Sequence, residues 1–112
     1  METVEEATAF IQESEAMISS LDQNPEELYA QLVGSFGECN DFESFKNFYQ
    51  QFLDGCPNQN IVAGKNTPEA AENLWNTIDV NKSGTLDDSE KVVLVKAIIQ
   101  TAIDLTKVYF NL

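Results

Sequence analysis

From about residue 88 to 110 the chain reads as one long helix with a single narrow polar stripe, Lys96, Gln100, Asp104, Lys107 and Asn111. Nearly everything else there is apolar, from Val92-Val93-Leu94-Val95 through Ile98-Ile99, Ala102-Ile103, Leu105, Val108 and Tyr109-Phe110. At 1.5 Å per residue such a helix spans about 35 Å, roughly the width of a small domain. A helix apolar round most of its circumference has to be covered on two sides. The N-terminal helix is expected to cover one of them, because monomers seldom leave large apolar patches bare. Otherwise that surface meets a partner, either a target helix or a second copy of the chain, so a homodimer stays open.

The rest of the sequence supplies further helices. Val4, Ala7, Ile11, Ile18 and Leu21 share a face at helical spacing with glutamates between them, which predicts an amphipathic helix over about 3–21. Asn24-Pro25-Glu26-Glu27 places an N-cap, a proline at N1 and a glutamate at N3, opening a second helix over about 25–36. That helix is expected to bury Leu28, Leu32, Val33 and Phe36. Asn40 and Glu43 suggest another cap, for a third helix near 41–54 with the stripe Phe42, Phe45, Phe48, Tyr49 and Phe52. The aromatic spacing suits one buried face, so these residues are expected in the core. Residues 55–66 carry turn formers without periodicity and read as a linker. Thr67-Pro68-Glu69 repeats the cap-then-proline start and opens a fourth helix to about Ile78. No strand-like alternation of useful length occurs. The expected fold is therefore all-α with about five helices. It forms one domain over 1–112, made of an acidic helical half (1–54), the linker and a second half (67–112).

Charge narrows the function. The 112 residues carry 19 acidic and 6 basic side chains, a formal charge of −13, and the basic residues are all lysines. Nucleic acid is an unfavourable partner, since binding phosphates needs clustered positive charge. Anionic membrane surfaces are disfavoured on the same ground. Without histidine, His-based acid–base catalysis and Ser-His or Cys-His nucleophiles drop out, and no enzyme is expected. The acidity is uneven: residues up to Cys56 carry a net −11 and the remainder −2. The acidic half suits solubility, attraction of cations or a basic partner.

Cys39 and Cys56 are too few for a disulfide scaffold and are expected as free thiols in a reducing compartment. The N-terminal Met-Glu-Thr-Val-Glu-Glu has neither the features of a signal peptide nor the glycine that myristoylation needs. No apolar run approaches the ~20 residues of a membrane span, so membrane insertion is not expected. The sequon Asn81-Lys82-Ser83 is idle inside a cell. A cytoplasmic protein is the expectation.

Between the fourth and fifth helices lies Asp79-Val80-Asn81-Lys82-Ser83-Gly84-Thr85-Leu86-Asp87-Asp88-Ser89-Glu90. Oxygen-bearing side chains fall at positions 1, 3, 5, 9 and 12, with glycine at 6 and an aliphatic residue at 8. Calcium takes six to eight hard oxygen ligands. Asp79, Asn81 and Ser83 would each give one oxygen and Thr85 its backbone carbonyl. Asp87 would bind directly or through a water, and Glu90 would close the sphere with both oxygens. Gly84 would permit the sharp turn that brings the two arms together, Leu86 would face the core, and Lys82 would face solvent. In this pattern and its flanking helices the chain resembles the EF-hand family of calmodulin and its relatives, over roughly residues 68–102.

The resemblance implies one bound calcium ion (Ca2+). Only Asp79, Asp87 and Glu90 are charged, which points to the weaker part of the sensor range, roughly 10⁻⁶–10⁻⁵ M. Magnesium should compete poorly against a bidentate Glu90. EF-hands usually pair, and the helices at 25–36 and 41–54 are the available partner. Their junction, Gly37-Glu38-Cys39-Asn40, is too short for a calcium loop. A frame over 32–43 would put Leu32, Gly34 and Phe36 at ligand positions, so this unit reads as a degenerate, metal-free hand. The run Glu90-Lys91-Val92-Val93-Leu94-Val95 is also similar to the small dimeric EF-hand proteins with a pseudo-hand first, although their basic first loop is missing here. The expected function is a calcium sensor that exposes apolar surface to a protein target, helical or basic. The alternative is a structural, scaffold or calcium-buffering protein with constitutive partner binding or dimerisation.

Overall fold

Helix starts follow local chemistry closely. The computed structural model describes residues 3–37, 41–56, 59–65, 67–78 and 88–112, without the side chains of Ser35, Phe36, Ile78, Asp88 and Ser89. Among the described residues it has six helices and no strand, so the fold is all-α: α1 (Val4–Gln23), α2 (Pro25–Phe36), α3 (Phe42–Asp54), α4 (Gln59–Val62), α5 (Pro68–Ile78) and α6 (Asp88–Phe110). The Thr3 hydroxyl caps α1 by accepting the Glu6 N–H at 3.2 Å. Asn24 closes α1, its N–H donating to the Ser20 carbonyl at 2.7 Å. Pro25 then opens α2 at once, and the Asn24 side chain makes no capping bond. The start of α2 therefore rests on the fixed φ of Pro25 and on Glu26 and Glu27 at the positive end of the helix dipole. Gly37 ends α2 at φ 92°, a conformation that favours glycine.

The cap of α3 differs from expectation. Asp41 is the N-cap and Ser44 its reciprocal partner, rather than the pair Asn40 and Glu43. The Asp41 carboxylate accepts the Ser44 N–H at 2.9 Å, and the Ser44 hydroxyl accepts the Asp41 N–H at 3.0 Å. Serine reaches back as glutamate does, so the expected residue type at N3 misplaced the box by one position. Hydrogen bonds from the Ser44 backbone and side chain hold the Asp41 carboxyl below its ordinary value of 3.8. A carboxyl whose folded pKa is lowered stabilises the fold above its unfolded pKa, and that contribution fades as pH falls through the lower folded value. Asp41→Ala is accordingly expected to lower the thermal midpoint at pH 7 and to have progressively less effect as the pH drops below 3.8. Melting curves of both proteins across that range would check this.

Within 55–66, the described residues 55–56 and 59–65 are more ordered than a linker. They contain the single turn α4, which buries Ile61 and Val62. The Gln59 amide donates to the carbonyls of Asp54 at 2.8 Å and Cys56 at 2.7 Å, closing the end of α3. The Tyr49 hydroxyl donates to the Lys65 carbonyl at 2.8 Å, and burial pushes its pKa up. In α5 the Thr67 hydroxyl accepts the Ala70 N–H at 3.2 Å, as the cap-then-proline start predicts.

Helix α6 is the axis of the core. Its residues Leu94, Val95, Ile98, Ile99, Ala102 and Ile103 are at most 1% exposed. Helix α1 makes the most extensive contact with it, and α2, α3, α4 and α5 all reach it as well. The long apolar helix is thus covered on more than one side, with α1 on one flank as expected. From α1 the buried residues are Ala7, Ile11, Ser14 and Leu21, while Val4 stays half-exposed and Ile18 only partly buried. In α2 Leu32 is buried and Leu28 and Val33 only partly so; the Phe36 side chain lies outside the described residues. The aromatic stripe of α3 is core, with Phe45, Phe48, Tyr49 and Phe52 buried. The rings of Phe42 and Phe45 each lie 5.5 Å from that of Trp75, tying α3 to α5. Lys96 of α6 forms an ion pair with Asp22 of α1, both partly exposed. Asp22→Asn should therefore lower stability by less than about 1 kcal/mol, and the difference should shrink in high salt. Urea midpoints at low and high ionic strength would show it.

Candidate metal centre

Glu90 stands in the first turn of α6 and is only 7% exposed. A buried carboxylate is costly unless hydrogen bonds or a cation compensate it. It is also the last residue of the oxygen-rich run, where a bidentate ligand would sit. Of the six candidate ligands it is the one the structure places. Asp79, Asn81, Ser83, Thr85 and Asp87 lie outside the described residues, as do Lys82, Gly84 and Leu86. The sequon at 81–83 and the junction residues Glu38, Cys39 and Asn40 fall outside them too. Among the described residues no cluster of three or more carboxylate or thiol side chains could hold a metal ion.

The flanks of the run are placed. Helix α5 ends at Ile78, immediately before Asp79, and α6 begins at Asp88. Nine residues thus connect two helices that touch one another. Trp75, four residues before Asp79, is buried against Phe42 and Phe45. Any change in the direction of α5 would therefore alter the surroundings of its indole. Cys56 is a buried thiol at the end of α3.

One feature near this site was not anticipated from the sequence. A groove of about 540 Å³ lies between the α1–α2 elbow and the first turn of α6, lined by Leu21, Asp22, Pro25, Glu26, Tyr29, Lys91 and Val92. Leu21, Pro25 and Tyr29 do recur every fourth residue, but the break at Asn24 hides their common surface until the helices are packed.

Compared with protein-family models, with curated proteins and with solved structures, the chain matches none. No helix among the described residues is long and apolar enough to cross a membrane.

Proposed function

We propose that the chain is a calcium-binding protein of the EF-hand type, with one Ca2+ held by Asp79, Asn81, Ser83, Thr85, Asp87 and Glu90. It acts as a cytoplasmic sensor that offers apolar surface to a protein partner and has no catalytic role. The observation that carries this reading is the position of Glu90. The carboxylate that would close a calcium sphere is buried at the start of α6, and α5 stops one residue before the first oxygen of the pattern. A bound divalent cation would neutralise that charge. Binding would fix the angle between α5 and α6, and α6 touches every long helix of the fold.

Calorimetric titration of the chelated protein tests the metal site. One site with a dissociation constant of roughly 10⁻⁶–10⁻⁵ M is expected; a flat titration would sink it. Trp75 emission and the binding of an apolar dye, measured in the same series, test the sensor.

A second reading, a scaffold or buffer in which calcium only stabilises the fold, draws support from the packing of α6. Its central residues are already covered by α1 and the other helices. Unchanged Trp75 emission and dye binding at calcium saturation would favour it.

A further inference from the structure

We infer that α1 is a detachable cover over α6, opening as one unit about Asn24 while the rest of the fold stays intact. The inference goes beyond the sensor reading and does not rest on bound calcium. Helix α1 makes the most extensive contact with α6, so its departure would bare more of α6 than that of any other helix. Few large side chains hold it there. Of its 20 residues the buried ones are Ala7, Ile11, Ser14 and Leu21, and only Ile11 and Leu21 are large and apolar. Phe10, Met17 and Ile18 are only partly buried. By contrast α3, with 13 residues, buries Phe45, Phe48, Tyr49, Phe52 and Leu53. Apolar burial is the main favourable contribution to helix docking, and α1 has less of it per residue.

The contact is also interrupted. A cavity of about 260 Å³ has Phe10, Ser14 and Met17 of α1 in its lining, together with Phe52, Cys56 and Ala102. The groove at the α1–α2 elbow leaves a second gap beside Leu21. Gaps of this size forfeit dispersion contacts that a close-packed interface would make. The ion pair of Asp22 with Lys96 ties α1 to α6, but both partners are partly exposed and it contributes little. Helix α1 carries five acidic residues and no basic one, within a half of net charge −11. Repulsion inside that half therefore works against docking. The joint is one residue long, because α1 ends at Gln23 and α2 begins at Pro25. The pyrrolidine ring fixes φ of Pro25, which leaves Asn24 to absorb a rotation of α1 relative to α2.

Cys56 can report the opening, since it is only 7% exposed and shares the smaller cavity with α1. In a Cys39→Ser chain it is the single thiol. Its labelling by an excess of a small thiol reagent is timed without denaturant and in chelator, so the result is independent of any calcium site. Ile11→Ala and Leu21→Ala are each expected to speed labelling about thirtyfold or more, and the milder Ile11→Val about fivefold. Neither residue lines the cavity that holds Cys56, so both can act only through the seating of α1. Phe42→Ala, which weakens the contact of α3 with α5, should leave the rate within about twofold. Circular dichroism of each variant confirms that the helices are intact. In the parent chain, amides of α1 should exchange hydrogen at least about tenfold faster than those of α3 and central α6. Labelling indifferent to the Ile11 and Leu21 variants would overturn the inference, because the reagent would then reach Cys56 with α1 in place. Equal acceleration by Phe42→Ala would overturn it too, since the whole molecule would then be unfolding. So would amides of α1 that exchange together with those of α3.

Discussion

Saturating calcium is expected to raise the thermal midpoint of the chelated protein by about 10 °C, and Glu90→Gln to remove most of that rise. A ligand that binds only the folded state at about 100 times its dissociation constant stabilises that state by about 2.7 kcal/mol. For a domain of 112 residues each kilocalorie moves the midpoint by about 4 °C. Glutamine keeps the shape of Glu90 but loses the charge and one of the two oxygens of a bidentate ligand. If affinity falls about a hundredfold, the same calcium concentration contributes only about 0.4 kcal/mol. Glu72→Gln on the exposed side of α5 removes an equal charge away from the loop and should keep the full rise. Scanning calorimetry of the three proteins, each with chelator and with calcium, is the measurement. An equal rise in the Glu90 variant would place the ion elsewhere, and no rise in the parent protein would leave the chain without a calcium site.

Phe45→Ala is expected to cost about 3–5 kcal/mol, the scale of removing a fully buried phenylalanine. Phe45 is 0% exposed, and its ring lies 5.5 Å from Trp75 and 6.2 Å from Tyr49. The substitution opens a cavity where α3 meets α5 and removes two ring contacts. Against a typical stability of about 5–15 kcal/mol it would consume a large share of the total. Phe42, one turn earlier, also meets Trp75 at 5.5 Å but is only partly buried, with the Lys46 ammonium 5.6 Å from its ring centre. Phe42→Ala should therefore cost about 1–2 kcal/mol, a partial burial loss plus one aromatic pair. Urea denaturation followed by Trp75 emission compares them directly. Equal losses would mean that the aromatic stripe is not graded from edge to core.

Much of this organisation is legible in local sequence. Helices α2, α5 and α6 begin where Pro25, Pro68 and the end of the oxygen-rich run place them, because caps and proline act over three or four residues. The α3 stripe could be read as core because its five aromatic residues recur at helical spacing, and four of them are buried. The misses share a cause. Four residues are too few to show a period, so α4 is visible only once Ile61 and Val62 find the core and Gln59 closes the end of α3. Val4 has the right spacing for the α1 face, yet it lies at the helix start and stays half-exposed. The Asp41–Ser44 cap was hidden by an equally plausible pair one residue away. For the metal site, the oxygens at 79–90 are a matter of spacing alone. The burial of Glu90 depends on how α6 is seated among the other helices.

The amino-acid sequence by itself determined that this chain is helical, where its long helices start, and that the one from 88 to 110 has to be enclosed. Each of these follows from interactions within one or two turns, or from apolar surface that water cannot solvate cheaply. The tertiary structure decided which helix encloses it, that Glu90 loses its exposure to water, and that Leu21, Pro25, Tyr29 and Val92 meet in one groove. Those outcomes depend on contacts between residues far apart in the chain, such as Asp22 and Lys96, which lie 74 positions apart. No local pattern encodes such contacts, because they arise only when separately formed helices compete to cover the same apolar surface.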